Sequence, residues 1–69
     1  MSQGARKQIA YKVREIRTKA KISREELSLK LNLDNSYISK LEREKVNITI
    51  DKLESIAQFF NIKLRDFFE

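Results

Sequence analysis

The sequence predicts an all-α protein: five short helices packed as a single compact domain over residues 1–69. Three observations point there. Apolar residues recur at helical spacing along most of the chain. Side chains that cap helix N-termini stand before several of the apolar runs. No segment shows the strict apolar–polar alternation of a half-buried strand, and there is no internal repeat. With no proline and one glycine, Gly4, the helix ends must be set by caps and by residues able to adopt left-handed backbone.

The first helix is expected over about 5–19, where Ile9, Val13, Ile16 and Ala20 fall at i, i+4, i+7 and i+11 and form one apolar stripe. Ser23 followed by Glu26 is a capping box opening a second helix over 23–31. Leu27 and Leu31 turn inward there, Glu25 and Lys30 outward, and Asn32 ends the helix in a left-handed conformation. Asp34 is the expected cap of a third helix over 35–43, with Tyr37, Ile38 and Leu41 as its apolar part. Thr49 caps a fourth helix over 49–60, whose stripe is Ile50, Leu53, Ile56, Ala57 and Phe60. Asn61 ends it, and Leu64, Phe67 and Phe68 define a fifth helix over 63–68.

Composition narrows the function. Cysteine and histidine are absent, which excludes disulfides and the usual zinc constellations, so no metal or cofactor is expected. No nucleophile–base pairing or acidic cluster suggests catalysis, and no enzyme is expected. No run approaches the roughly 18 apolar residues that span a bilayer, and the N-terminus has no signal-peptide core, so a cytoplasmic protein is expected. The net charge of +5 is uneven: Arg6, Lys7, Lys12, Arg14, Arg17, Lys19 and Lys21 face only Glu15 in the first 21 residues, while the remainder is near neutral. A basic end on a balanced domain suggests a polyanion, either nucleic acid or an anionic membrane surface. The membrane reading fares worse, because the apolar stripe of the first helix is needed for the core.

The segment Arg24 to Leu41 carries the most information. Two short helices are joined around Asn32, and the second bears Asn35, Ser36, Ser39, Lys40 and Arg43 on its polar side. That is the helix-turn-helix plan, in which the second helix enters the major groove of double-stranded DNA. Asn, Ser and Tyr both donate and accept hydrogen bonds, and Lys or Arg reads guanine, so these residue types suit base edges.

The stretches "IRTKAKISREELSLKLNLDNSYISKLERE" and "NITIDKLESIAQFFNIKLRDFF" resemble the Cro/C1-type, or XRE, helix-turn-helix regulators over nearly all of residues 13–68. "LDNSYISKLER" with "NITI" is most similar to the restriction–modification controller proteins of that family. The resemblance implies a lambda-repressor-like five-helix domain that binds DNA as a dimer. It also implies that a controller regulates its own promoter and a neighbouring endonuclease gene, activating at low and repressing at high occupancy. Four positions depart from the family pattern: Arg24 replaces the usual Gln, Ser28 the usual Ala, Asn32 the turn glycine and Glu44 a glycine after the recognition helix. Glu44 adds negative charge near the DNA backbone.

The resemblance assigns base or groove contacts to Asn35, Ser36, Ser39 and Lys40. Ser23, Arg24, Tyr37, Arg43, Lys45 and Asn47 are the candidate phosphate contacts. Arg17 and Glu42 match a family pair that braces the recognition helix from behind. Four late phenylalanines are more than a domain of this size easily buries; Phe60 lies on the core stripe and Phe67 suits either core or interface. Phe59, Ile62, Phe67 and Phe68 are therefore the candidate homodimer interface. The dimer would act by blocking or contacting RNA polymerase, and no small-molecule effector pocket is evident. The alternative is a protein-interaction or antitoxin-type module on the same fold, in which Asn35, Ser36 and Lys40 could be changed without loss of activity.

Overall fold

A computed structural model describes residues 3–68 of the chain. Four α-helices, α1 (Gln3–Lys19), α2 (Arg24–Lys30), α3 (Tyr37–Glu42) and α4 (Ile50–Phe59), are followed by a 3-10 helix, Leu64–Phe68. No strand occurs among the described residues. The all-α class holds, but the fifth element is a 3-10 turn; five residues are too few for a cooperative α-helix, and the tighter winding suits a short chain end.

One core joins the elements. Ile9 and Val13 of α1, Leu27 of α2, Ile38 and Leu41 of α3, Leu53, Ile56 and Ala57 of α4, Ile48 of the preceding loop and Phe67 of the 3-10 helix are all buried together. Burying each large aliphatic side chain contributes about 1.5–3 kcal/mol. α1 packs against α3 and the 3-10 helix, and α2 packs against α3. α3 is thus held on its apolar side by two other elements, which leaves its polar side outward.

Four expectations about the core and helix starts are corrected. Ala20 is exposed, because α1 ends at Lys19 and the backbone turns at Lys21 before the stripe can continue. Ile50 is 58% exposed, since it opens α4 at an end that no neighbouring element covers. Phe67 is 2% exposed and belongs to the core, which removes it from any intermolecular surface. Asp34 is not a side-chain cap: its carboxylate accepts from the Ser36 hydroxyl at 2.8 Å, residues 35 and 36 form a turn, and α3 begins only at Tyr37.

The helix ends follow one rule. Lys21, Asn32, Glu44 and Asn61 all have φ between 57° and 61° and stand just beyond α1, α2, α3 and α4. At each, a longer and a shorter backbone bond close the turn, as in Leu33 N–H to Ser28 O at 2.8 Å and Asn32 N–H to Leu29 O at 3.0 Å. This is the Schellman ending. The residues that follow, Ile22, Leu33 and Ile62, pack against the core and lock the turns. Asparagine tolerates left-handed backbone, whereas Lys21 and Glu44 carry the Cβ penalty in full. Glu44→Gly should therefore raise stability by about 1 kcal/mol, read as a higher urea midpoint at unchanged slope.

Candidate nucleic-acid interface

The site is built from α2, the turn after it, and α3. Ser23 stands in extended backbone before α2, and its Oγ accepts from the Glu26 N–H at 3.0 Å; this is the half of the capping box that forms. Accepting that bond leaves the Ser23 hydroxyl hydrogen available to a phosphate. Leu27 and Ser28 point into the protein, so α2 is anchored along its inner face.

α3 divides cleanly. Ile38 and Leu41 are buried, Lys40 is exposed, and Ser36, Tyr37 and Ser39 are half-buried around them. Asn35 projects from the turn just ahead of the helix and is exposed. Ser36, Lys40 and Arg43 follow at spacings of four and three and share one side of the helix. Arg43 and Lys45 add exposed positive charge past its end, with exposed Glu44 between them. Asn47 is exposed too, and its Oδ1 accepts from the Arg6 guanidinium of α1. The arrangement offers amide, hydroxyl and ammonium groups on one short helix and the turn before it, flanked by cations: hydrogen-bonding groups for base edges and charge for phosphates.

Behind α3 lies an ion-pair cluster. Arg17 Nε donates to Glu42 Oε2 at 2.7 Å and Arg17 Nη2 to Oε1 at 3.3 Å. The two side chains are 8% and 4% exposed, so the pair lies out of water. Arg17 Nη1 also donates to the Ile22 carbonyl at 2.8 Å, which ties the end of α1 to the start of α2 and to α3. A buried guanidinium needs such extra acceptors to offset its lost hydration. Arg24 joins the cluster: its Nε donates to Glu42 Oε1 at 2.9 Å while its side chain stays 45% exposed. One carboxylate therefore faces two arginines, so the cluster of three side chains is itself net positive, beside the acidic Glu25 and Glu26 of the first turn of α2. Arg24 is braced by the scaffold while still open to solvent.

Three contributors had no clear sequence signal. Lys52 of α4 places its Nζ 4.9 Å from the centre of the Tyr37 ring, a cation–π contact that brings another cation beside the start of α3. Burial raises the Tyr37 phenol above its ordinary value, so it stays protonated and can donate. Arg6 reaches Asn47 across 41 residues of sequence, and the buried Ser28 hydroxyl reaches α3. Only Ser28 left a trace, as a hydroxyl where the family usually has alanine. Among the described residues no group of His, Cys, Asp or Glu could hold a metal ion, and no helix is long and apolar enough to cross a membrane.

Comparison with known proteins identifies the family. Residues 13–67 match the helix-turn-helix family. The chain is 33% identical over 67 residues to control protein C.BamHI of Bacillus amyloliquefaciens, covering 96% of this chain and 83% of that protein. The crystal structure of the restriction–modification controller protein C.Esp1396I superposes with a TM-score of 0.83 at 31% identity, covering 97% of this chain and 86% of the other. A hypothetical transcription factor from Neisseria, NHTF, superposes with a TM-score of 0.85 at 31% identity over 90% of this chain and 71% of that one. With residues 13–67 matching the family and these relatives along most of its length, the chain belongs to the Cro/C1-type (XRE) helix-turn-helix family and is a DNA-binding transcription regulator.

Proposed function

We propose that the regulator works in the cytoplasm as a symmetric homodimer, presenting two copies of α3 about 34 Å apart to a pseudo-palindromic operator. The observation that carries this reading is the division of α3: apolar residues bury one side, while Asn35 and Lys40 stand exposed beside the cations Arg43 and Lys45. Asn35, Ser36, Ser39 and Lys40 contact bases; Ser23, Arg24, Tyr37, Arg43, Lys45 and Asn47 grip phosphates. Occupancy is the mechanism, the dimer blocking or contacting RNA polymerase according to where the operator lies. Similarity to C.BamHI and C.Esp1396I supports a role in controlling a restriction–modification system.

The dimer surface in this reading is the end formed by α4 and the 3-10 helix. Phe59 and Phe68 are 38% and 42% exposed, and Ile62 is half-buried in the loop between them. Phe59 is held edge-on against Phe60, ring centres 5.0 Å apart, so its exposed face is presented in a fixed orientation. In a twofold interface each substitution counts twice. Losing one buried phenylalanine per subunit at about 1.5–3 kcal/mol, Phe59→Glu should weaken dimerisation by about 10²-fold or more. Sedimentation equilibrium tests this. The unaltered chain should weigh as a dimer and Phe59→Glu as a monomer; a chain that is monomeric at tens of micromolar would contradict the symmetric-dimer reading.

A further inference from the structure

We propose that Ser28 is the N-terminal cap of the recognition helix, supplied from the middle of α2, and that it sets the register of the DNA-reading side chains. This rests on α3 being the helix that meets DNA. The other helices that begin inside the domain cap themselves. Ser23 and Thr49 stand in extended backbone and accept from the N–H three residues on, at 3.0 and 3.2 Å. α3 does not: Ser36 occupies its cap position with φ −98° and ψ 0°, and its side chain makes no capping bond. The Ser36 hydroxyl donates to Asp34 instead.

Two first-turn donors of α3 still find partners. Tyr37 N–H donates to the Asp34 carbonyl at 2.9 Å, and Ile38 N–H donates to Ser28 Oγ at 3.1 Å. Ile38 is the second residue of the helix, and its N–H is one that an N-cap side chain ordinarily satisfies. Ser28 and Ile38 are both 0% exposed, so water cannot replace the hydroxyl. A helix of six residues has little cooperativity of its own, and its start is where loss of a cap is felt most.

Because the cap arrives from α2, the turn that carries Asn35 and Ser36 is relieved of that task. It can adjust to base edges and phosphates while Ile38, and behind it Lys40, stay in register. Ser28 is therefore a positioning residue for DNA reading, tying α3 to α2 through one buried hydrogen bond.

The test is Ser28→Ala in the full chain; alanine is smaller than serine and the best helix former, so folding is retained. Amide hydrogen exchange at Ile38, taken relative to the core amide of Leu41, should accelerate about tenfold or more. Affinity for a selected operator should fall about tenfold while affinity for unrelated duplex changes less than twofold, a split that general destabilisation does not produce. An unchanged relative rate at Ile38 overturns the proposal, as does a faster rate with undiminished operator affinity. Asp34→Ala should leave the Ile38 rate unchanged; acceleration equal to that of Ser28→Ala would place the cap in the 34–36 turn and overturn the proposal too. The exchange measurement uses no DNA. An error in taking α3 as the reading helix would instead appear in the unaltered protein, as the absence of any preferred duplex.

Discussion

Glu42→Ala should bring the chain close to the edge of unfolding at ordinary temperature. The Glu42 side chain is 4% exposed, and its carboxylate is the acidic partner of both Arg17 and Arg24. Removing it leaves the Arg17 guanidinium buried with only the Ile22 carbonyl, and breaking a buried pair on one side costs about 3–5 kcal/mol. A domain of this size holds only about 5 kcal/mol in all, so the melting temperature should fall by roughly 15–30 °C. DNA binding would be lost with it, through the fold. Thermal unfolding followed by circular dichroism measures the effect. The pair variant Arg17→Met with Glu42→Leu should recover much of the loss, because apolar side chains of similar volume replace a buried ion pair at little cost. Recovery of stability without recovery of binding would isolate the contribution of Arg24, which Glu42 braces.

Lys40→Ala should do the reverse. The side chain is exposed, so stability should shift by less than about 0.5 kcal/mol. Operator affinity should drop by about 1–3 kcal/mol per half-site, which is about 30-fold or more for a dimer that uses both. Asn35→Ala should behave alike. Lys45→Ala should weaken all sequences about equally and lower the salt dependence by about one counterion per contact. Binding curves on operator and unrelated duplex at two salt concentrations separate these cases. Full activity with both Lys40 and Asn35 replaced would favour a protein-interaction module on the same fold.

How far the sequence disclosed this structure depended on whether a feature was local. Ser23 and Thr49 announce α2 and α4, because a cap acts within three residues. Asn32 and Asn61 announce the ends, because asparagine tolerates positive φ. Lys21 and Glu44 take the same conformation without any such preference, because tertiary packing imposes it; α1 ends at Lys19 as expected, and Ala20, counted on its apolar stripe, falls in the turn instead. The start of α3 was misjudged for a related reason. Asp34 has the right chemistry for a cap, but Ser28 satisfies the Ile38 N–H from ten residues away. Ile48 lies in a loop with no periodicity to mark it, yet it is 7% exposed. Phe67 suits either core or interface by sequence, because a short segment cannot show by spacing which aromatic ring enters the core; it is core. The Arg17–Glu42 contact was legible only through family resemblance, and its third member, Arg24, was legible in charge but not in partner.

The measurement that bears most directly on the central claim is selection from a random duplex library by the purified protein at about 150 mM salt, where general attraction to phosphates is already weakened. The account predicts enrichment of a palindrome whose half-sites lie about one helical turn apart. No enrichment, with only salt-sensitive binding common to all sequences, would contradict it.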